Sequence, residues 1–429
     1  MFSKSAQYGY LCCDFRRAIH KRVLVSMHTL LSRLFLIALL AQSVALSGQD
    51  DHSGHESDGH GLEEFIYDHG KEVMHHIGDA NEFHVWKGVH LPLPCILYAP
   101  DAGWTMMMSS AFDHGHKAVD GYVLNHGRVN RIVGEGFPEG EVAIGHIHHK
   151  MIEKDGKEKE VAYVEHDGKE FLLDQPTTYD GGLLGGGVTS FYDFSITKNV
   201  FTMLLGALIL IIVFLTAANG YKTRQGMAPK GIQSFIEPFF IFIRDEVSIP
   251  MIGEKKYERF QPFILSLFFF ILISNLLGLI PFFPGSANVT GNIAVTFMLA
   301  VITFVVTNLN GNRHYWEHTL WMPGVPIFVK PILTIVEFLG LFIKPFSLMV
   351  RLFANITAGH IIILSLIGLI FLFSDSGNNI GGAFAGGVLG MAFAAFMNLI
   401  ELLVAFLQAF IFAILTASYI GAATEEAHH

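Results

Sequence analysis

Residues 331–373 read PILTIVEFLGLFIKPFSLMVRLFANITAGHIIILSLIGLIFLF, an apolar run that nonetheless carries Glu337, Lys344, Arg351, Asn355 and His360. As a helix rising about 1.5 Å per residue it is about 60 Å long, twice the roughly 30 Å of a bilayer's hydrocarbon core. Such a segment has to tilt steeply, bend or break, and Pro345 marks one place for a bend. Glu337, Lys344, Arg351 and Asn355 follow one another at spacings of 7, 7 and 4. At about 100° per residue they project within roughly 40° of one another, so a polar stripe runs along one face. Ser347 sits beside the stripe, and His360 falls on nearly the opposite side.

Four further apolar runs complete the pattern. Residues 200–218 are uncharged and 19 long, enough to cross a bilayer. Runs at 262–280 and about 289–309 are joined by the uncharged turn PFFPGSANVTGN and read as a helical hairpin. The last, from about 390 to 420, would be about 45 Å long as a helix. It places Glu401 and Gln408 seven residues apart on one face. The fold class is membrane all-α, with five membrane segments of which the last two are long and steeply tilted.

Lys222, Arg224, Lys230, Arg244, Lys255, Lys256 and Arg259 lie between the first and second runs, whereas the hairpin turn has no Lys or Arg. The positive-inside rule makes the basic loop cytoplasmic. Within it, IQSFIEPFFIFIRDEV is apolar but interrupted by Glu237, Pro238, Arg244 and Asp245, as expected of a helix lying at the interface. SDSGNNIGG has no basic residue and falls on the outer side, which leaves the C-terminal TEEAHH cytoplasmic.

Ahead of the membrane domain, 196–429, the composition changes. MHTLLSRLFLIALLAQSVALSGQD, from Met27, has Arg33, a short apolar core from Leu34 to Leu40, and small residues at Ala45 and Ser47. Residues 27–47 read as a secretory signal peptide, with a retained signal anchor as the alternative, and 1–26 as a leader or a start-site error. Residues 48–195 then form a small exported, periplasmic domain. FHVWKGVHLPLPCILYAP alternates strand formers with turn formers, and EVAIGHIHHKMIEKDGKEKEVAYVEHDGKEFLLD reads as two strands joined by KDGK, so this domain is β-rich. GGLLGGG, at 181–187, reads as a flexible linker marking its end. His52, His55 and His60, and again His146, His148 and His149, form clusters that could bind metal, but none has the closed spacing of a structural zinc site. A hydrated surface is the plainer reading, and no metal or cofactor is assigned. Cys12 and Cys13 fall in the leader, leaving Cys95 as a small buried hydrophobe.

The chain has 429 residues, 51% hydrophobic and 15% charged, with a formal charge of -10. Its mean hydropathy is +0.44. These values suit a membrane protein, and the absence of a basic stripe argues against nucleic acid as a partner.

Polar residues within apolar helices have a structural reading, since they can bond between helices or send their charges to the interface. For Lys344 and His360 that reading stands level with a functional one. Arg351 lies deep in its run, where an arginine costs at least about 2.5–3.5 kcal/mol, and Glu401 is flanked by apolar residues on both sides. Both point to ion passage.

The runs KPFSLMVRLFANITAGH, ELLVAFLQAFIF and SNLLGLIPFFP together resemble subunit a of the F-type ATP synthase, over about residues 200–422. The resemblance implies that Arg351 matches the essential arginine facing the carboxylates of a rotating c-ring. Asn355, Gln408, Lys344 and Glu337 match polar positions lining the proton path. His360 and Glu401 occupy a pair of positions that many bacterial relatives fill the other way round, which suggests that the two act together. Asn275 matches a hairpin asparagine near the outer channel, but Gly278 stands where some relatives have Asp. The implied partners are the c-ring, a subunit b peripheral stalk, the remaining synthase subunits and membrane lipid, in a bacterial inner membrane.

On that basis the chain is a stator that holds two proton half-channels against the ring, with Arg351 as a fixed charge between them. His360 and Glu401 belong to the outer half-channel with Asn275, and Glu337 to the cytoplasmic one. No phosphate loop appears in the sequence, so ATP chemistry resides in partner subunits and this subunit is non-catalytic. A secondary transporter, which midplane charges would also suit, and a purely structural scaffold are the rival readings.

Overall fold

The computed structural model describes residues 78–425 apart from 87–88, 135, 155–156, 178–186, 224–226, 281–286, 322–324 and 374–379. The expected leader and signal, His52, His55 and His60, most of the glycine-rich run, the start of the hairpin turn and most of the SDSGNNIGG loop lie outside these residues. Two compact units emerge, a mainly β unit that runs to Leu205 and also takes in Phe282–Val289, and a helical unit of Gly206–Pro281 and the chain from Thr290.

Within the described residues the β unit has three antiparallel sheets. A ribbon pairs β1 (Glu82–Trp86) with β2 (Val89–Pro92), and a second sheet sets β3 (Pro94–Ala99) between β4 (Gly103–Met108) and β12 (Tyr192–Asp193). The largest has seven strands in the order β8-β5-β6-β7-β11-β10-β9, namely Glu141–Ala143, Lys117–Val119, Tyr122–Asn125, Arg128–Val133, Lys169–Asp174, Lys157–His166 and Ile147–Lys154. Three of its connections are two-residue turns ending in glycine. Asp120–Gly121, His126–Gly127 and Asp167–Gly168 have φ of 50° and 77°, 47° and 75°, and 51° and 73°. Positive φ at both positions is the mirror-type turn whose twist matches that of a hairpin. Lys154 pairs with Lys157 across the expected KDGK turn. The region read as two strands, however, also contains β8 and β11, because HDGK makes a second hairpin.

The glycine-rich run does not end this unit. After it Phe191 is fully buried against Tyr122, ring centroids 5.5 Å apart, and Tyr192–Asp193 pair with β3. Arg131 fixes the return with bonds of 2.8 and 2.7 Å to the Asp101 carboxylate and 3.0 Å to the Ser190 carbonyl. Phe191 and Tyr192–Asp193, which follow the glycine-rich run, therefore belong to the core and sheets of the β unit.

The helical unit begins within α1 (Lys198–Thr223). The segment expected at the interface is α2 (Ile232–Ile243), a π turn at Arg244–Ser248 and α3 (Ile249–Ile252). It is packed inward, since Ile243 and Val247 are fully buried in a core shared with Ile264, Phe268, Leu352 and Ile420. The hairpin is α4 (Tyr257–Gly278) and α5 (Ile293–Leu309), the latter capped by the Asn292 side chain accepting from the Ala294 N–H at 2.9 Å. A short helix absent from the sequence reading, α6 (Arg313–Trp321), follows. Then come α7 (Lys330–Phe373), 44 residues running through Pro345, and α8 (Ile380–Thr424), 45 residues. Among the described residues four helices are long and apolar enough to cross a membrane, or five if Ile293–Leu309 and Arg313–Leu320, bent by 108°, form one span.

The start of α8 lies about ten residues before the expected 390, in GGAFAGGVLG. Each glycine costs a free helix about 1 kcal/mol relative to alanine, which is why the pattern stops there when read alone. Gly386, Gly390 and Ala394 are buried at four-residue spacing, and small residues in such a row let helix backbones approach closely. At the far end, the Gly421 backbone lies directly against the Met251 carbonyl, leaving no room for a side chain. The last carbonyls of α8 are satisfied by Lys256 and Asn312, which donate to Thr424 O at 2.7 and 2.8 Å.

Cys95 is fully buried in the β core, as expected, and burial with the nearby Asp193 charge pushes its thiol up to about 11. In the folded chain at mildly alkaline pH, a maleimide should leave Cys95 unmodified, and modification should become complete in denaturant, read by mass spectrometry on the peptide containing it.

Candidate functional site

The polar residues singled out in the sequence fall in two places within the helical unit. Glu401, on α8, is 5% exposed, and its carboxylate packs over Gly359 of α7. A Cβ on Gly359 would stand 2.8 Å from Glu401 Oε1, so the contact depends on glycine. The next residue along α7 is His360, whose side chain lies outside the described atoms. The expected pairing of His360 with Glu401 is thus approached through its neighbour.

Asn275 joins the same region from α4. It is buried, donates from Nδ2 to the Ala405 carbonyl at 3.1 Å, and accepts from the Thr290 hydroxyl at 2.6 Å. Ala405 lies one helical turn beyond Glu401, so Asn275 ties α4 to α8 beside the carboxylate. Both its nitrogen and its oxygen have partners, which makes it a positioning group by geometry. Gln408, also buried, sits two turns beyond Glu401 on the same helix.

The stripe on α7 occupies a different setting. Glu337 and Arg351 are half-buried, while Lys344 and Asn355 are exposed. Leu341, Leu348, Leu352 and Ile356 are buried a short rotation away, and Phe342, Ile343, Phe346 and Val350 are exposed on the other side. The stripe therefore follows the border between the packed face of α7 and an open apolar face. Among the described residues no carboxylate lies within ion-pair distance of Arg351. Lys344 Nζ lies 5.7 Å from the centroid of the Tyr419 ring, a cation–π contact.

Between Lys344 and α5 is a cavity of about 20 Å³, room for a single water. Thr303, Thr307, Asn308, Tyr315, Lys344 and Tyr419 contribute to its lining. The Thr303 and Thr307 hydroxyls are buried without a hydrogen-bond partner, and Tyr315 donates to Asn308 Oδ1 at 3.2 Å. Glu337 lies within electrostatic reach of Tyr315. None of these Thr, Asn or Tyr residues stood out in the sequence, and neither did Gly359, Thr290 or Tyr419. Uncharged residues on an apolar helix carry no insertion cost large enough to mark them.

The family model described as ATP synthase A chain matches residues 200–421. The chain belongs to the ATP synthase A chain family. It is 43% identical over 251 residues to ATP synthase subunit a of Chloroherpeton thalassium, covering 56% of this chain and 69% of that protein. It is 42% identical over 258 residues to ATP synthase subunit a of Myxococcus xanthus, covering 59% and 80%. Against ATP synthase subunit a 2 of Chlorobaculum tepidum the identity is 42% over 246 residues, covering 54% and 64%. A second family model, for a domain of unknown function, matches residues 72–171 in the β unit. Family membership and the apolar helices together make this a multi-pass membrane protein, and the secondary-transporter reading is set aside.

Gly359→Ala should force the Glu401 carboxylate out of its seat, an overpacking that destabilises by about 1–3 kcal/mol. Thermal unfolding of the detergent-purified protein should show the loss, and combining the change with Glu401→Asp should recover much of it because the shorter acid leaves space. Strict additivity of the two changes would mean that the contact is not made.

Proposed function

We propose that the chain is the stationary, proton-translocating subunit of the membrane sector of an F-type ATP synthase. Arg351 carries the reading. It is a permanent charge, half-buried at the edge of an open apolar face and without an ion-pair partner among the described residues. A charge so placed calls for an acidic partner on another chain. A ring of c subunits, each bringing a carboxylate past that face, is the partner that suits it, and the exposed apolar side chains beside it would be covered by ring and lipid.

Two half-channels meet at the ring. Glu401 and His360 relay protons in the outer one, where Asn275 positions α8. Glu337 serves the cytoplasmic one, and the small cavity beside Lys344 supplies a place for a bridging water. Asn355, Lys344 and Gln408 line the path. A proton entering from outside is handed to a ring carboxylate, travels with the ring, and leaves through the other half-channel. Arg351 attracts the ionised carboxylate and repels a proton that would pass directly between the channels. Because guanidinium stays protonated, it is a barrier and never a relay.

In this reading α7 and α8 tilt steeply in a bacterial inner membrane so as to lie across several ring helices. Residues 1–26 are a leader or start-site error and 27–47 a signal peptide. The domain at 48–195 is periplasmic, 196–429 is the membrane domain, and the C-terminus is cytoplasmic. A subunit b stalk holds the chain against rotation, and the synthase's other subunits perform the ATP chemistry.

Arg351→Ala should abolish ATP synthesis and ATP-driven proton pumping in vesicles while the complex still assembles, and passive proton leak should rise. Arg351→Lys should also fail substantially, because an ammonium is more strongly hydrated, lacks the planar fork and loses its proton more readily when desolvated. Near-normal coupled synthesis in the Ala variant would sink the assignment. The relay has its own test: exchanging the pair, His360→Glu with Glu401→His, should retain more proton flux than either single change, whereas additive losses would separate the two residues.

A further inference from the structure

The β unit holds a side-chain cluster unrelated to the histidine groups that stand out in the sequence. His146, His148 and His149 are exposed, and the nearest counterpart of a site there is a pair, His126 Nε2 to His149 Nε2 at 3.3 Å. Glu82, His90 and His114, which are far apart in sequence, offer ligand atoms that all lie within 4.8 Å of one another.

Three features of the fold bring them together. In the β1–β2 ribbon Glu82 pairs with Pro92, so His90, two residues from Pro92, lies on the same face as Glu82. His114 comes from the short 3-10 turn Ser109–Gly115 between β4 and β5. Asp113 and His114 there are both left-handed, at φ 45° and 54°, which turns the imidazole toward the ribbon. The turn is held on either side: Phe112 is fully buried, and a Cβ on Gly115 would meet the Leu124 carbonyl at 2.6 Å.

The distances allow ion pairs and also suit a metal seat. His114 Nδ1 is 3.3 Å from Glu82 Oε2, and His90 Nδ1 is 3.7 Å from Glu82 Oε1. The first is long for a hydrogen bond and the second is beyond one. The two distances run to different oxygens of the carboxylate, and each is close to the ligand–ligand separation of about 3.4 Å around a metal with bonds of about 2.0–2.1 Å. The imidazole centroids are 4.0 Å apart with the rings tilted at 47°, so protonating both would set two cations side by side. The side chains of Glu82 and His90 are 17% and 15% exposed and that of His114 is 48% exposed, so one side of the cluster remains open.

We propose that Glu82, His90 and His114 form a three-ligand site for a divalent transition metal of the zinc class, its fourth position open to water or an incoming ligand. Two neutral imidazoles and one carboxylate are a donor set that tetrahedral zinc accepts, and three protein ligands with an open position are the arrangement of a reactive site more than of a closed structural one.

The test uses the full-length chain, purified in detergent through a tag without histidine, stripped with chelator and titrated with Zn²⁺ alone. One tight equivalent is expected. Substituting Co²⁺ should give the intense visible bands of a tetrahedral site. Glu82→Gln, which preserves shape, and the double change His90→Ala with His114→Ala should each weaken that equivalent by about 100-fold or more, since even outer-shell changes cost 10- to 100-fold. Replacing His52, His55 and His60 by Ala should leave it in place. Failure of the unaltered chain to bind Zn²⁺ tightly would overturn the proposal, as would a purely octahedral Co²⁺ spectrum or loss of binding only with the His52, His55 and His60 changes. If the double change alters the circular dichroism, Glu82→Gln and the Co²⁺ spectrum decide the matter.

Discussion

In hydrocarbon a backbone N–H or carbonyl has no water to turn to, and the helical unit is arranged around that constraint. Its long segments satisfy their own backbones, and trouble is confined to their ends. There the chain supplies partners one by one. Asn292 caps α5 at its start, Asn310 Nδ2 donates to the Val306 carbonyl at its end at 2.8 Å, and Lys256 and Asn312 donate to the Thr424 carbonyl that closes α8. The same logic explains Asn275. A polar amide buried between α4 and α8 is acceptable because its oxygen and its nitrogen both find partners, and having found them it fixes the distance between two helices.

Helices in lipid are not driven together by exclusion from water, so close packing has to do that work. In the helical unit it comes from interlocked phenylalanines, such as Phe268 against Phe269 and Phe406, and from glycines that let atoms approach where a side chain would block them. Gly421 admits the Met251 carbonyl and Gly359 admits the Glu401 carboxylate. The second of these contacts joins packing to chemistry. Glu401 is held against a neighbouring backbone, largely away from solvent, whereas Arg351 stands half-buried at the border of an open apolar face. One pair of helices thus holds its two conspicuous charged residues in two different settings.

The β unit obeys other rules, with antiparallel sheets, a dry core and turns with positive φ. It reaches beyond the glycine-rich run to recruit Phe191, and its ribbon and 3-10 turn gather Glu82, His90 and His114. The family match to subunit a begins at residue 200, so chemistry in this unit is independent of the helical machinery in sequence terms.

Much of this was legible before folding. Apolar runs marked the helices because a bilayer sets their length, and Arg351 and Glu401 were conspicuous because a charge in such a run carries a high cost. The Asp-Gly turns in VDGY and HDGK carry the same hairpin signal as KDGK, whereas His126–Gly127 in NHGR takes positive φ without that signal. Other features were settled only in three dimensions. The early start of α8 runs against glycine's own preference, and the burial of Gly386, Gly390 and Ala394 there belongs to the folded chain alone. Gly359 is needed only because Glu401 arrives opposite it. The His90–His114–Glu82 cluster has no sequence spacing at all, since a strand register and two left-handed residues bring it together. Local sequence reports what one segment needs from its solvent, and contacts between distant segments are decided by which surfaces the fold places within a few ångströms of each other.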